Sequence, residues 1–184
     1  MQSTTSSPIT ISRVLIVGDP VGSHTLRVLK RGYVPENIWV WEDNPSHIYA
    51  IRQQHAKINV IEDLDHLIRQ KMRFTVAIGN PPYGVGANLA IKFLNKTSEL
   101  TDDIRFVLPT SVRKPSSLNK ISANLHCTVD QDLDSSTFPG GISAVKQHWI
   151  VKEEKREKIF MHKSTLHHTT KFVIKMPSLM MTTL

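Results

Sequence analysis

One stretch of sequence limits the possible fold more than any other: an apolar run that ends abruptly on a stiff loop. The run covers Phe74–Ile78 and ends on Gly79, which is followed by Asn-Pro-Pro-Tyr at residues 80–83. Short apolar runs closed by Gly and Pro are typical of buried strands. Because each proline fixes its own φ and restricts the residue before it, Asn80 and Tyr83 are expected to be held rigidly. Ligands of open α/β sheets bind at the carboxyl ends of strands, so this loop is the first candidate site.

The composition of the loop favours one kind of ligand. Pro81 and Pro82 have no N–H, so the carbonyl groups of the loop can face a ligand without a competing donor. The amide oxygen of Asn80, the carbonyl of Pro81 and the ring of Tyr83 together suit an exocyclic amine. The alternative is a proline turn that follows a strand and binds nothing.

Strand-like and helix-like segments alternate along most of the chain. Strands are predicted at 13–19, 37–42, 58–61, 74–78 and 104–109, and helices at 24–31, 46–55, 64–71 and 88–100. Further strands are predicted at 144–152 and 171–176. This alternation predicts an α/β fold, with a mostly parallel, doubly wound sheet and helices on both faces.

Two acidic residues follow predicted strands in positions typical of cofactor sites. Asp19 ends the first strand and opens a glycine-containing turn before a helix, an arrangement that lets the backbone approach a cofactor closely. Glu42 ends the second strand, where a carboxylate can accept hydrogen bonds from ribose hydroxyls. The alternative for Glu42 is a solvated acid that is stabilised by the dipole of the next helix.

The Asn80–Tyr83 loop resembles motif IV of the class I S-adenosylmethionine-dependent amino-methyltransferases, in which Asp, Asn or Ser precedes Pro-Pro and an aromatic residue. The resemblance covers about residues 13–152. It is strongest to the N6-adenine DNA methyltransferases of restriction-modification and phage systems. It implies transfer of a methyl group from S-adenosylmethionine to the N6 amine of adenine in DNA, with residues 80–83 at the reacting amine. A minority of the family methylates a glutamine side-chain amide instead.

The resemblance also assigns the cofactor-binding residues of the first motif. Asp19, Pro20 and Gly22 resemble motif I, often Asp-Pro-Phe-x-Gly-Ser-Gly-Thr, with one residue deleted. His24 stands in place of the final glycine, which makes room for the methionine part of the cofactor. This departure keeps a second function open: a methyltransferase-like protein that binds its partner but has weakened or lost catalysis.

Two further acids take cofactor positions in the resemblance. Glu42 matches the acid of motif II, which binds the ribose. Asp63 follows the third strand, where the family has an acid that binds the adenine amino group of the cofactor, and Asp65 is the alternative. Asp63 also stands where a helix N-cap is expected, and that structural role is a further alternative.

Charge favours a polyanionic partner. The net charge is +7 and the sequence pI is about 9.6, which suits nucleic acid, above all DNA. Arg113, Lys114 and Lys120 follow a predicted strand at the sheet edge of the Asn80–Tyr83 loop and could contact phosphates. Phe138 matches the aromatic residue of a late family loop, which stacks on a base flipped out of the helix. The alternatives are a solvated helix start for the basic tract and a core position for Phe138.

The length of the chain predicts one principal domain. We expect a flexible N-terminal lead at 1–12, a methyltransferase-like domain at 13–152, and a charged connector with a short appendage at 153–184. No segment is long enough for the target-recognition domain that the family usually carries. Specificity is therefore expected to be low or to come from a partner subunit, in a homo- or hetero-oligomer. RNA adenine and a protein glutamine remain alternative substrates.

Other features of the sequence concern the cellular compartment and metal binding. No apolar run approaches the roughly 20 residues of a membrane span, and the N-terminus has no signal-peptide pattern. A single cysteine, Cys127, excludes an internal disulfide and agrees with the cytoplasm. His162, His167 and His168 lack the spacing of a zinc site, so no metal is expected.

Overall fold

Strands and helices alternate as expected in the computed structural model, which describes residues 12–134 and 142–159. The strands are β1 (Val14–Val17), β2 (Ile38–Trp41), β3 (Asn59–Ile61), β4 (Val76–Gly79), β5 (Asp103–Pro109), β6 (Leu125–Asp132) and β7 (Ala144–Val151). The helices are α1 (Ser23–Lys30), α2 (Pro45–Gln54), α3 (Leu64–Arg69), α4 (Asn88–Thr97) and α5 (Pro115–Leu118). Short 3₁₀ turns lie at Pro35–Asn37, Val85–Ala87 and Thr110–Arg113.

The described strands form a seven-stranded sheet in the order β3-β2-β1-β4-β5-β7-β6. Strands β1 to β5 are parallel to one another, whereas β7 runs antiparallel between β5 and β6. The predicted mostly parallel, doubly wound sheet is therefore confirmed. Because β1 to β5 are parallel, their last residues share one edge of the sheet, which we call the carboxyl edge.

Two apolar layers hold the helices to the sheet. On one face, Val28 of α1 and Ile51 of α2 pack with side chains of β1 and β2, namely Val14, Ile16, Ile38 and Val40. On the other face, α3 and α4 pack through Leu67 and Leu94, among others, on a larger core that also includes β5 and β7. Both faces of β1 are buried, which explains its unbroken apolar sequence. Burying each such side chain stabilises the fold by about 1.5–3 kcal/mol.

Strand β6 was not predicted from the sequence. Its apolar residues do alternate, at Leu125, Cys127 and Val129, but the pairing with β7 shifts between Cys127 and Val129 at a bulge. Leu125 is buried, whereas most of the other β6 residues are exposed. A strand that buries so little at the edge of a sheet leaves a weak hydrophobic pattern. The strand predicted at 171–176 lies outside the described residues.

Residues 153–159, which follow β7, pack against the domain. The N–H of Arg156 donates to the Ala123 carbonyl at 2.7 Å, and Asn119 forms two hydrogen bonds with the backbone of Ile159. These contacts place residues 153–159 against the segment between α5 and β6, although the sequence suggests a solvated connector. The division of the chain at residue 152 stays a prediction. Among the helices that the structure describes, none has the length and apolar character needed to cross a membrane.

Candidate active site

Backbone hydrogen bonds bring the predicted site residues together at the carboxyl edge. The ladder continues past the ends of the strands: Gly18 N–H donates to the Trp41 carbonyl at 3.1 Å, and Glu42 N–H donates to the Ile61 carbonyl at 3.1 Å. On the other side of β1, Asn80 N–H donates to the Val17 carbonyl at 3.0 Å. Neighbouring strands lie about 4.8 Å apart. The ends of β3, β2, β1 and β4 therefore present Asp63, Glu42, Asp19 and Asn80 in a single row.

Two glycines allow β1 and β4 to approach each other at this edge. Gly79 has φ of +150°, and a Cβ atom added there would lie 2.1 Å from the Val17 carbonyl oxygen. Gly18 has φ of +75°, and its added Cβ would lie 2.5 Å from the Asn80 carbonyl oxygen. No side chain fits at either position. The glycine before each candidate motif thus fixes the distance between the motif I turn and the Asn80–Tyr83 loop.

Asp19 is fully buried and holds the start of α1. Its Oδ1 accepts from the His24 N–H at 3.0 Å and its Oδ2 accepts from the Thr25 N–H at 2.8 Å. The carboxylate is stabilised there by two donors and by the positive end of the helix dipole. Gly22 has open space beside it, since an added Cβ meets nothing within 4 Å. Pro20 is exposed on the same turn.

His24 occupies the position of the missing glycine without adding a charge. Its imidazole is half-buried, and burial lowers the pKa of His24 below the ordinary value of 6.5, although Asp19 acts in the opposite direction. The ring is therefore largely neutral at pH 7. The substitution fills part of the motif I turn with a neutral ring.

Glu42 is buried, with one carboxylate oxygen bound and the other without a partner among the described residues. Its Oε1 accepts from the Asp43 N–H at 3.2 Å and from the Asn44 N–H at 3.1 Å, and His47 Nδ1 lies 3.4 Å away. These contacts orient the carboxylate and leave Oε2 available to a hydroxyl. The solvated acid considered from the sequence is not observed, because Glu42 is 5% exposed.

Asp63 has the capping role that the sequence left open, and it also lines a cavity. Its Oδ1 accepts from the Asp65 N–H at 2.8 Å at the start of α3, and its Oδ2 pairs with Arg69 at 3.3 Å. The backbone hydrogen bond from Asp65 is the main cause of the lowered pKa of Asp63. The cavity has a volume of about 150 Å³, the size that holds a benzene ring. It lies between β2, the start of α3 and the α4 residues Leu89, Lys92, Phe93 and Lys96.

Phe93 was not identified as a site residue from the sequence. Its ring centroid lies 4.3 Å from that of Trp41, and the two rings form one wall of the cavity beside Asp63. The helical spacing of α4 predicts an apolar face that includes Phe93. Nothing in the spacing shows that this face reaches the end of β2, since that contact spans about fifty residues.

The Asn80–Tyr83 loop leaves hydrogen-bonding groups without partners. Asn80 Oδ1 and Tyr83 Oη are both buried, and neither has a hydrogen-bond partner among the described residues. Burial raises the pKa of Tyr83 to about 12. The Tyr83 carbonyl accepts from the N–H groups of Leu89 and Ala90 at 3.2 Å, which ties the loop to α4. Within the described part of the chain, no hydrogen bond ends on the Pro81 carbonyl, and Pro82 is exposed.

The three predicted phosphate contacts have different surroundings. Arg113 pairs with Asp130 at 2.8 Å and with Asp132 at 2.6 Å, so its guanidinium is already bound to β6. Lys120 Nζ donates to Asn88 Oδ1 at 2.8 Å, at the start of α4. Lys114 is exposed. Phe138 and the histidines at 162, 167 and 168 lie outside the described residues.

A larger cavity lies away from the carboxyl edge. It has a volume of about 730 Å³ and is lined by Asp102, Asn124 and Lys152, among others. These residues flank the start of β5, the start of β6 and the end of β7, at the opposite edge of the sheet. None of the predicted site residues lines this cavity.

Comparison with solved structures identifies the fold. The chain matches a protein of Thermoplasma acidophilum, designated 1320, with a TM-score of 0.58 and 17% identity over 78% of each chain. It matches a dimethyladenosine transferase from Plasmodium falciparum with a TM-score of 0.52 and 15% identity, over 78% of this chain and 58% of that one. It also matches the tRNA (uracil-54, C5)-methyltransferase of Pyrococcus abyssi in complex with S-adenosyl-L-homocysteine. That match has a TM-score of 0.53 and 17% identity, over 76% of this chain and 34% of the other.

These similarities show the fold of class I methyltransferases, with the strand order and antiparallel β7 described above. At identities of 17% or less they show nothing finer. No protein-family model matches the sequence, and no curated protein does.

Proposed function

We propose that this protein transfers a methyl group from S-adenosylmethionine to the exocyclic N6 amine of adenine in DNA. One observation carries the proposal. The Asn80–Tyr83 loop is hydrogen-bonded to the end of β1, in one row with Asp19 and Glu42 at the carboxyl edge of a methyltransferase fold. An amine acceptor after β4 and a ribose acceptor after β2 thus lie at the same edge of the sheet, on either side of β1, as methyl transfer between two bound molecules requires.

The residues of the first three strands fit the cofactor. Glu42 Oε2 is available to the ribose hydroxyls, and Gly22 has the open space that the methionine portion needs. The cavity beside Asp63 and Phe93 suits part of the adenine ring. S-adenosylmethionine supplies a methyl group on a positively charged sulfur, which is strongly electrophilic. The fit is least complete at motif I, where Asp19 already binds the N–H groups of His24 and Thr25.

The loop residues act on the amine of the target base. The nitrogen of an adenine amine is a poor nucleophile, because its lone pair is delocalised into the ring. Asn80 Oδ1 and the Pro81 carbonyl would accept hydrogen bonds from the two N–H groups of this amine, which localises the lone pair on the nitrogen and orients it. Asn80 Oδ1 has no partner in residues 12–134 and 142–159 but is shielded from solvent, so its side chain must rotate before an amine can reach it. The ring of Tyr83 would stack on a base taken out of the duplex.

RNA is a second candidate substrate. It is supported by the structural likeness to a tRNA methyltransferase and to a dimethyladenosine transferase. The amine chemistry of the loop is the same for adenine in DNA and in RNA. The experiment below therefore offers both nucleic acids.

The cofactor part of the proposal predicts that Glu42→Gln weakens S-adenosylmethionine binding about 10- to 150-fold. The physical reason is that a hydrogen bond to a charged group is worth about 1.5–3 kcal/mol. Isothermal titration calorimetry measures the affinity. Glu99→Gln is the matched control, since Glu99 is exposed and lies before β5, and it should bind like the wild type. Absence of binding to the wild-type protein at millimolar cofactor would exclude the proposed function.

The substrate part predicts that Asn80→Ala abolishes methyl transfer and leaves cofactor affinity within about two-fold, because Asn80 acts on the reacting amine. The assay follows labelled methyl into DNA, RNA and protein from cells that lack the activity. Gln53→Ala removes an exposed amide from α2 and is the control. Label in N6-methyladenine of DNA supports the proposal, and label confined to RNA selects the second candidate. Label in protein glutamine, or cofactor binding without transfer, contradicts both.

A further inference from the structure

The charges of this protein are distributed unevenly between the two faces of the sheet. All 16 Asp and Glu residues lie in the described ranges. None of them falls within residues 20–35 or 44–61, the segments that contain α1 and α2. The same segments hold five basic residues, which are Arg27, Lys30, Arg31, Arg52 and Lys57. The helical layer on this face therefore carries positive charge and no carboxylate.

Ion pairing leaves most of the positive charge on this face uncompensated. Lys57 pairs with Glu36 at 3.0 Å, but Arg27, Lys30, Arg31 and Arg52 have no ion pair within the described ranges. Elsewhere in the described ranges, five of the fifteen Lys and Arg residues have a carboxylate partner, namely Arg69, Arg73, Lys96, Arg105 and Arg113. The dipole of a helix explains a base near its C-terminus. It does not explain the absence of acids from both helices.

The four unpaired bases and one aromatic ring lie on two helices that cover the same side of the sheet. Helices α1 and α2 bury Val28 and Ile51 against the same side of the sheet, so their other sides face solvent. The exposed bases there are Arg27, Lys30, Arg31 and Arg52. A shallow depression of about 360 Å³ is lined by Arg27, Lys30 and Arg31 together with Ser23 and Leu26. Tyr49 of α2 is 66% exposed. We call this surface, with Arg27, Lys30, Arg31, Tyr49 and Arg52, the basic helical face.

We propose that the basic helical face binds a nucleic acid, with phosphates at its four unpaired bases and a base stacked on Tyr49. Unpaired Lys and Arg residues supply most of the affinity for a phosphate backbone. An exposed aromatic ring among them suits an unstacked base. An anionic membrane fits less well, because the apolar sides of α1 and α2 are buried against the sheet and cannot enter a bilayer.

This surface differs from the one expected at Arg113, Lys114 and Lys120, and it is compatible with a site at the carboxyl edge. Helix α1 begins next to Asp19 at that edge and has eight residues, so it is about 12 Å long. Its bases lie in the second half of the helix and just beyond it. A duplex advances about 3.4 Å per base pair, so the far end of α1 lies about the length of three to four base pairs from the carboxyl edge.

The test compares two triple variants that remove the same charge. Arg27→Gln, Lys30→Gln and Arg31→Gln are combined in the first variant, and Lys146→Gln, Lys152→Gln and Lys155→Gln in the control. All six residues are exposed. Fluorescence anisotropy measures the affinity for a labelled single strand of DNA, for the same strand of RNA and for duplex DNA, without cofactor and at several salt concentrations. Circular dichroism and thermal melting confirm that both variants are folded.

The first variant should bind nucleic acid at least 10-fold more weakly than the wild type. The magnitude of its slope of log affinity against log salt concentration should fall by about 2–3, since each lost phosphate contact removes about 0.7–0.9 from that slope. The control should lose less than 3-fold. Tyr49→Ala should weaken binding to single strands by about 5-fold or more. Equal losses in the two variants would overturn the proposal, as would binding to phosphatidylserine vesicles without binding to nucleic acid. Because no cofactor is present, the result is independent of the proposed methyl transfer.

Discussion

Two side-chain atoms of the Asn80–Tyr83 loop, Asn80 Oδ1 and Tyr83 Oη, are buried without a partner in the part of the chain that the structure describes. A buried polar group that forms no hydrogen bond costs about 1–3 kcal/mol relative to its hydrated state. The loop therefore holds two groups that lower the stability of the fold. For Asn80, binding of an amine would remove that cost. For Tyr83 the stacking proposed above uses the ring rather than the hydroxyl, so its hydroxyl is a net cost in the structure.

Removal of this hydroxyl should stabilise the protein. We expect Tyr83→Phe to raise the free energy of unfolding by about 1 kcal/mol at neutral pH, because the ring stays and the unpaired hydroxyl is lost. Urea denaturation measures the change. Tyr49→Phe is the control and should have no effect, since Tyr49 is 66% exposed. A loss of stability in Tyr83→Phe would mean that the hydroxyl has a bonding partner in solution.

The same substitution should change the response to alkaline pH. The pKa of Tyr83 is about 12 in the folded protein and about 10 in the unfolded chain. Between these values the unfolded chain loses a proton that the folded protein keeps, so stability falls as the pH rises above 10. Tyr83→Phe lacks this contribution, and its stability should decline less between pH 10 and pH 12.

The ion-pair partners of Arg113 could not be predicted from the sequence. The sequence places it in a basic tract after β5, where a phosphate contact is a reasonable expectation. Its partners Asp130 and Asp132 lie 17 and 19 residues further along the chain. Only the position of β6 brings them within reach, and β6 was not predicted. By contrast, Asp19, Glu42 and Asn80 each lie within two residues of the end of a strand, and parallel pairing was enough to predict that they share an edge.

At the scale of elements, the contact between the ends of β1 and β4 determines the geometry of the site. These strands are central in the sheet, and their last residues are level with each other, Val17 opposite Gly79. The Asn80 N–H then bonds to Val17, so the loop after β4 begins within the ladder. The sequence indicated both strands and both glycines. It could not show that Gly79 faces the backbone of Val17 and Gly18 that of Asn80, because the register of parallel strands is set by packing rather than by a turn.

This contact predicts different costs for two glycine substitutions. Gly79→Ala should reduce the free energy of unfolding by roughly 3 kcal/mol or more, because its Cβ would lie 2.1 Å from the Val17 carbonyl oxygen. Gly22→Ala should cost only about 1–2 kcal/mol, since its φ of +69° is unfavourable for alanine but its Cβ has open space. Chemical denaturation measures both. Equal costs for the two variants would show that backbone conformation matters and the close approach does not.

At the scale of the whole molecule, residues 153–159 fasten the end of the described chain to the domain. Arg156 inserts between α5 and β6. Its Nε donates to the Leu125 carbonyl, and its Nη2 lies 3.3 Å from the Ile121 carbonyl oxygen. The guanidinium carbon also lies 5.8 Å from the centroid of the Trp149 ring. Burial lowers the pKa of Arg156 below its ordinary value, yet the side chain stays charged, because arginine does not lose its proton in proteins. The charged run of the sequence thus contains one residue that packs and several that are solvated.

Loss of this arginine should weaken the whole domain. We expect Arg156→Ala to reduce the free energy of unfolding by about 1.5–3 kcal/mol, the value of hydrogen bonds to a charged group. Lys155→Ala removes a neighbouring exposed charge and should change it by less than about 0.5 kcal/mol. Both are measured by urea denaturation. If the two variants have the same stability, residues 153–159 do not hold the domain together.

The three hydrogen bonds that continue the ladder past β1, β2 and β4 have a consequence for motion. The amides of Gly18 and Asn80 can exchange their protons with water only when the central strands β2, β1 and β4 separate, whereas the amide of Glu42 is bonded to the edge strand β3. Separation of the central strands requires the core on both faces to open, so the backbone beside Asp19 and Asn80 belongs to the slowest-exchanging part of the domain. Strand β6, which is the last strand of the described sheet and has little buried surface, opens locally instead. The carboxyl edge therefore keeps its shape before any ligand arrives, and the movements that binding requires are confined to side chains such as that of Asn80.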